Sequence, residues 1–147
     1  MRGLQTAVVV ALLAIGAACA GPARTHNDFQ LKAKSTAETT LSAIGTTQLV
    51  VRLAADDRAF ANYLSVLIGD AEEEASSAQS TFDSIQPPNE DSDALRSQLG
   101  DLLSTANDTI ADIRIAVRRG QLSDLATQAD ELEQIAKDLD SFIAAQP

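Results

Sequence analysis

The stretch at residues 57–88, DRAFANYLSVLIGDAEEEASSAQSTFDSIQPP, decides the fold. Phe60, Leu64, Leu67, Ala71, Ala75, Ala78, Phe82 and Ile85 recur at steps of three and four, which places them on one face of an α-helix. Pro87-Pro88 ends the pattern, because proline has no N–H to donate and pushes the preceding residue away from helical angles. A long helix with one apolar stripe needs other elements to cover it, and the rest of the chain offers more of the same period.

Upstream, from about Asp28 to Ala54, Ala37, Leu41, Ile44, Gln48 and Val51 repeat that spacing, with Val50 and Leu53 widening the stripe. Thr39, Thr40, Thr46 and Thr47 are neutral at best in a helix, and an exposed Gly45 costs about 1 kcal/mol against Ala. The run Thr46 to Val51 would also suit a strand. No second strand exists for it to pair with, so a helix is predicted. Carried forward, the stripe calls for apolar residues at 58 and 62, where the chain has Arg58 and Asn62. This phase shift predicts a break between Ala55 and Asp57, with Asp56 as the N-cap of the next helix and Asp57 favouring its positive end. One continuous helix through this point is the alternative.

Downstream, Asn89 to Asp93 reads as a polar, acidic loop, and Ser92 as the cap of a third helix running to about Arg119. Its stripe is Leu95, Leu99, Leu102, Ala106, Ile110, Ile113 and Val117. Arg118 and Arg119 complement its negative end and Gly120 is its stop. A fourth begins near Ser123, with Leu125, Ala129, Leu132, Ala136, Leu139 and Ile143 close to a heptad seam that Ile135 and Phe142 broaden. Residues 28–147 are therefore expected to form an all-α, antiparallel up-down-up-down four-helix bundle about 40 Å long. The parity puts the C-terminus and the Pro87-Pro88 loop beside the point where the chain enters, and the turns near Ala55 and Gly120 at the far end.

Apolar types make up 45% of the 147 residues, much of it Ala, while aromatics are 3%, so a modest core with close helix spacing is expected. The formal charge of −10 argues against nucleic acid, which needs a basic stripe to neutralise phosphates. It also argues against an anionic membrane surface as a partner for the bundle's own side chains. A single cysteine allows no internal disulfide.

That cysteine, Cys19, follows a basic start at Arg2 and an uncharged apolar run from Ala7 to Ala18, well short of the roughly 20 residues that span a bilayer. Gly16-Ala17-Ala18-Cys19 resembles the lipobox of bacterial lipoprotein signal peptides. In that class the terminal cysteine receives diacylglycerol and becomes the new N-terminus. The resemblance covers the first 19 residues alone and departs from the usual pattern at Gly16, where a larger apolar residue is the rule. It implies a signal peptide at 1–18, lipid attachment at Cys19, and a tether at 19–27. Ala18-Cys19-Ala20 is also a small-x-small cleavage pattern, which would release a soluble chain without cysteine, and an uncleaved helix is a third reading.

His26, the one histidine, is read as a solvated tether residue. No Glu-x-x-His pair, zinc set or haem ligand is apparent, so neither a cofactor nor a metal is expected. Asp70, Glu72, Glu73 and Glu74 are read as a solvated helix face, and Glu90, Asp91 and Asp93 as the charge bias of a helix N-terminus. Arg114, Arg118 and Arg119 are read as surface and helix-end ion pairs, and Tyr63 as packed with its hydroxyl exposed. The expected function is a non-catalytic, lipid-anchored domain of the cell envelope with a protein partner there. The alternatives are a small-ligand or sensory bundle with a groove beside Gly45 and Gly69, and a secreted helical protein. Self-association is left open.

Overall fold

The computed structural model describes residues 23–56, 60–121 and 125–147. Four helices follow in order: α1 (His26–Ala55), α2 (Ala61–Asp83), α3 (Glu90–Arg119) and α4 (Leu125–Ala144). Three side-chain contacts fix their directions. Phe29 near the start of α1 packs its ring 5.2 Å from Phe82 at the end of α2. His26 bonds Ser92 in the first turn of α3 at 2.8 Å. Lys34 donates to the carbonyl of Pro147, beyond the end of α4, at 3.0 Å. The starts of α1 and α3 thus share one end with the finishes of α2 and α4, giving the up-down-up-down bundle expected from the sequence.

Each helix touches its chain neighbours and α1 closes against α4; across the middle α1 also meets α3, whereas α2 and α4 do not meet. The short diagonal follows from residue size. The buried face of α1 is mostly small: Ala33, Ala37, Thr40, Ala43, Thr47 and Ala54. Large side chains from α3, among them Leu99, Leu103, Ile110 and Ile113, are fully buried. Close approach of small to large is how an Ala-rich interior reaches normal packing density.

Thr40 and Thr47 are buried at 0% exposure, inside a stripe that the sequence assigned to Leu41 and Gln48. Each hydroxyl donates to the carbonyl one turn back, Thr40 to Thr36 at 3.1 Å and Thr47 to Ala43 at 3.0 Å. A hydroxyl satisfied on its own helix adds no unpaired polar group to the core, so Thr serves there as a small, β-branched filler. Leu41 and Leu53 pack only part-buried at the rim.

The helix ends depart from expectation in four places. α1 begins at His26, because Thr25 accepts from the Asp28 amide at 3.1 Å and caps it there. Asp56 is the C-cap of α1 and not the N-cap of α2. Phe60 holds the N-cap position of α2 without a side-chain cap bond, and the residue is 87% exposed instead of opening the buried stripe. Asn89, not Ser92, caps α3, accepting from the Ser92 amide at 2.9 Å. Asn89 sits in extended backbone three residues ahead of the amide it caps, which leaves Ser92 inside the first turn and buried. α1 and α2 are separate helices, as the phase shift near Ala55 required. Asp57, Arg58 and Ser123 lie outside the described residues.

At the other end of α3, Gly120 adopts φ 67°, a left-handed angle that side chains with a Cβ resist. That angle lets the Gln121 amide reach back to the Ala116 carbonyl at 2.9 Å, closing the helix.

Candidate functional site

Burial along α2 leaves a ridge unpartnered among the described residues. Leu64, Ile68, Ala71 and Ala75 set its core face. Val66 sits about half a turn from that face and is 59% exposed; Tyr63, one turn before it, is also 59% exposed. Tyr63 therefore shows much of its ring as well as its hydroxyl. With Phe60 these residues climb the helix at a spacing of three, at the end far from Thr25. The α1–α2 register, marked by Phe29 beside Phe82, brings Leu49 of α1 level with Tyr63, and Leu49 is 50% exposed. Toward the middle of the molecule the same ridge turns acidic, with Asp70, Glu73 and Glu74 all exposed. Sequence reading passed over this patch because Tyr63 and Val66 fall off the core stripe. That mismatch of large apolar residues with the helical period was the available signal.

On the other flank of α2, Gly69 and Ser65 line a shallow open groove of about 390 Å³ against Arg114 of α3. Arg114 spans it to pair with Glu72, Nε to Oε2 and Nη2 to Oε1, the latter at 3.3 Å. Arg114 thus forms the surface ion pair expected of it. Of the groove that the small-ligand alternative called for, the part beside Gly69 is present, polar and crossed by this pair. Gly45 faces open space, with nothing within 4 Å of where a Cβ would stand. A second groove, of about 360 Å³, runs between α1 and α2 and is lined by Thr36, Thr39, Glu74 and Ser77 among others.

His26 is half-buried at the entry end instead of free in a tether. Ser92 Oγ gives its proton to Asn89 Oδ1 at 2.8 Å, so the His26 Nδ1–H donates to Ser92 Oγ. That order of donors is the reverse of an activated nucleophile, in which histidine accepts the serine proton. The triplet instead ties the start of α1 to the start of α3. Arg96 plays a similar part unforeseen from sequence: its guanidinium donates to the carbonyls of Asp83 and Ile85, the latter at 3.2 Å, and binds the end of α2 to α3. Glu90, Asp91 and Asp93 occupy the first turn of α3, where the helix end favours negative charge.

Among the described residues, no group of three or more His, Cys, Asp or Glu side chains is placed to hold a metal ion. Among the same residues no helix is long and apolar enough to cross a membrane. Cys19, with Gly16, Ala17 and Ala18 before it, lies outside the described residues. The chain matches no family model, and comparison with curated proteins and with solved structures finds no similar protein.

Proposed function

We propose that this chain is an exported, non-catalytic binding module, a helical bundle that offers the far end of α2 to a protein partner. The carrying observation is the apolar ridge of Phe60, Tyr63 and Val66, exposed on a helix whose other large apolar residues are buried or, at Leu67, partly buried against the core. Large apolar side chains exposed together mark interaction surfaces far more often than single ones do. Binding is favoured over turnover because His26 and Glu72, whose side chains could move a proton, are engaged by structural partners: His26 with Ser92, Glu72 with Arg114.

The first 19 residues support export, and their lipobox-like end supports lipid attachment at Cys19 as the anchor. Thr25 follows Cys19 by six residues, so an anchor there would hold the entry end of the bundle near a membrane and present the ridge outward. Cleavage beyond Cys19 would release the same module as a secreted protein. A second reading rests on the groove beside Gly69, where Arg114 and Glu72 offer both charges to a small polar ligand.

Crosslinking in the native host, followed by purification from membranes and medium, tests the leading reading. A recurrent protein partner is expected; repeated preparations with none would overturn it. Intact mass of the processed chain decides the anchor: an acylated Cys19 N-terminus supports it, and a chain starting at Gly21 refutes it.

A further inference from the structure

We infer that the α2 ridge receives a cationic amphipathic helix of the partner, with apolar anchors on Tyr63 and Val66 and lysine or arginine beside Asp70 and Glu73. The inference rests on the binding-module reading and names the chemistry of its partner. Val66, Asp70 and Glu73 lie four and seven residues apart, so one face of α2 carries an apolar half and then an acidic half. From Phe60 to Glu73 that face is about 20 Å long, room for a partner helix of roughly four turns. An amphipathic helix laid on such a surface reads as anchors at steps of three and four with charges offset along its axis.

Charge chooses among occupants. The ion pairs among the described residues are Arg114–Glu72 and Lys137–Glu133, which leaves the exposed Asp70 and Glu73 carboxylates open to a visiting cation. A second copy would set two chains of net charge −10 against each other and bring no cluster of cations to these acids, and an anionic lipid surface meets the same repulsion. A basic partner gains from this field both in its approach and in its fit.

Two labelled peptides of four helical turns provide the probe, titrated by fluorescence anisotropy into the processed protein purified from its host. Both carry Leu at i, i+3, i+4 and i+7; one continues with Lys at the next turn, the other with Glu. The Lys peptide is expected to bind at least tenfold more tightly at low salt, with the advantage shrinking at high salt. Paired Tyr63→Ser and Val66→Ser changes should weaken it tenfold or more with the melting temperature unchanged, because both side chains are largely solvated. Paired Asp70→Asn and Glu73→Gln should instead remove the preference between the peptides. Equal binding of the two peptides, or parent-like binding by the serine variant, would overturn the inference. A dimer in sedimentation that the serine variant abolishes would also overturn it, in favour of a second copy. A partner crosslinked in cells that still binds the serine variant rejects this surface, and with it the far end of α2 as the docking site, while leaving the bundle a protein-binding module; failure to crosslink any partner rejects protein binding itself.

Discussion

Replacing Phe29 and Phe82 by leucine, singly and together, probes the contact that sets the start of α1 against the end of α2. Both rings are at 0% exposure, with centroids 5.2 Å apart and planes inclined at 46°. Truncating a buried Phe to Ala costs about 3–5 kcal/mol, and Leu retains more than half of the side chain, so each single change should cost about 1.5 kcal/mol. A tilted aromatic pair adds about 0.5–1.5 kcal/mol beyond its buried area. The double variant should therefore be less damaging than the sum of the singles by about 1 kcal/mol, the pair term being lost only once. At roughly 4 °C per kcal/mol for a domain of this size, each single lowers the melting temperature by about 6 °C. Guanidinium unfolding followed by far-UV circular dichroism provides the free energies. Additivity within about 0.3 kcal/mol would show that the rings do not touch, and would remove the reason for setting the start of α1 against the end of α2.

Other outcomes follow from the same contacts. Arg96→Met should destabilise by about 1–2 kcal/mol in the same assay, since it strips charge-assisted donors from the carbonyls of Asp83 and Ile85. Gly45→Ala should stabilise by about 0.5–1 kcal/mol because a Cβ there meets nothing, whereas Gly120→Ala should cost about 1 kcal/mol for the left-handed angle it must keep. On the exposed face of α4, the hydrogen bond from Lys137 at 2.8 Å, and then its charge, hold the Glu133 carboxyl below its usual range, while Glu133 raises Lys137. A lowered carboxyl contributes stability above its unfolded value and loses it as pH falls through the folded one. A raised amine contributes below its unfolded value and loses it as pH rises through the folded one, so the pair acts across neutral pH. By carbon-detected NMR, Lys137→Met should move the Glu133 titration midpoint upward; an unmoved midpoint would show that the pair does not form in solution.

The bundle was legible because its organising signals are local. The stripes of α3 and α4, the Pro87-Pro88 stop and the phase shift near Ala55 each depend on a few neighbouring residues. The buried face of α1 was less so. It meets three other helices, so it is broader than one stripe, and its threonines enter the core by bonding carbonyls that a sequence pattern does not display. Asn89 was overlooked as a cap because it and Ser92 are both good cap residues three apart. Only the fold decides which one precedes the first turn. The ties of His26 to Ser92 and of Arg96 to the α2 end join residues far apart in the chain, beyond the reach of periodicity. The ridge of Tyr63 and Val66 was written in the sequence as apolar residues on the wrong face, yet a search for buried stripes discards such residues.

Photo-crosslinking in the native host, from a benzophenone amino acid placed at residue 66 or at residue 138, addresses the binding surface most directly. Asp138 is exposed on α4, the helix that α2 does not touch, and so serves as the control position. The predicted result is a discrete partner band from residue 66, carrying a basic amphipathic segment at the crosslink, and none from residue 138. A band from residue 138 with residue 66 silent would contradict the account and move the binding surface to the opposite side of the bundle.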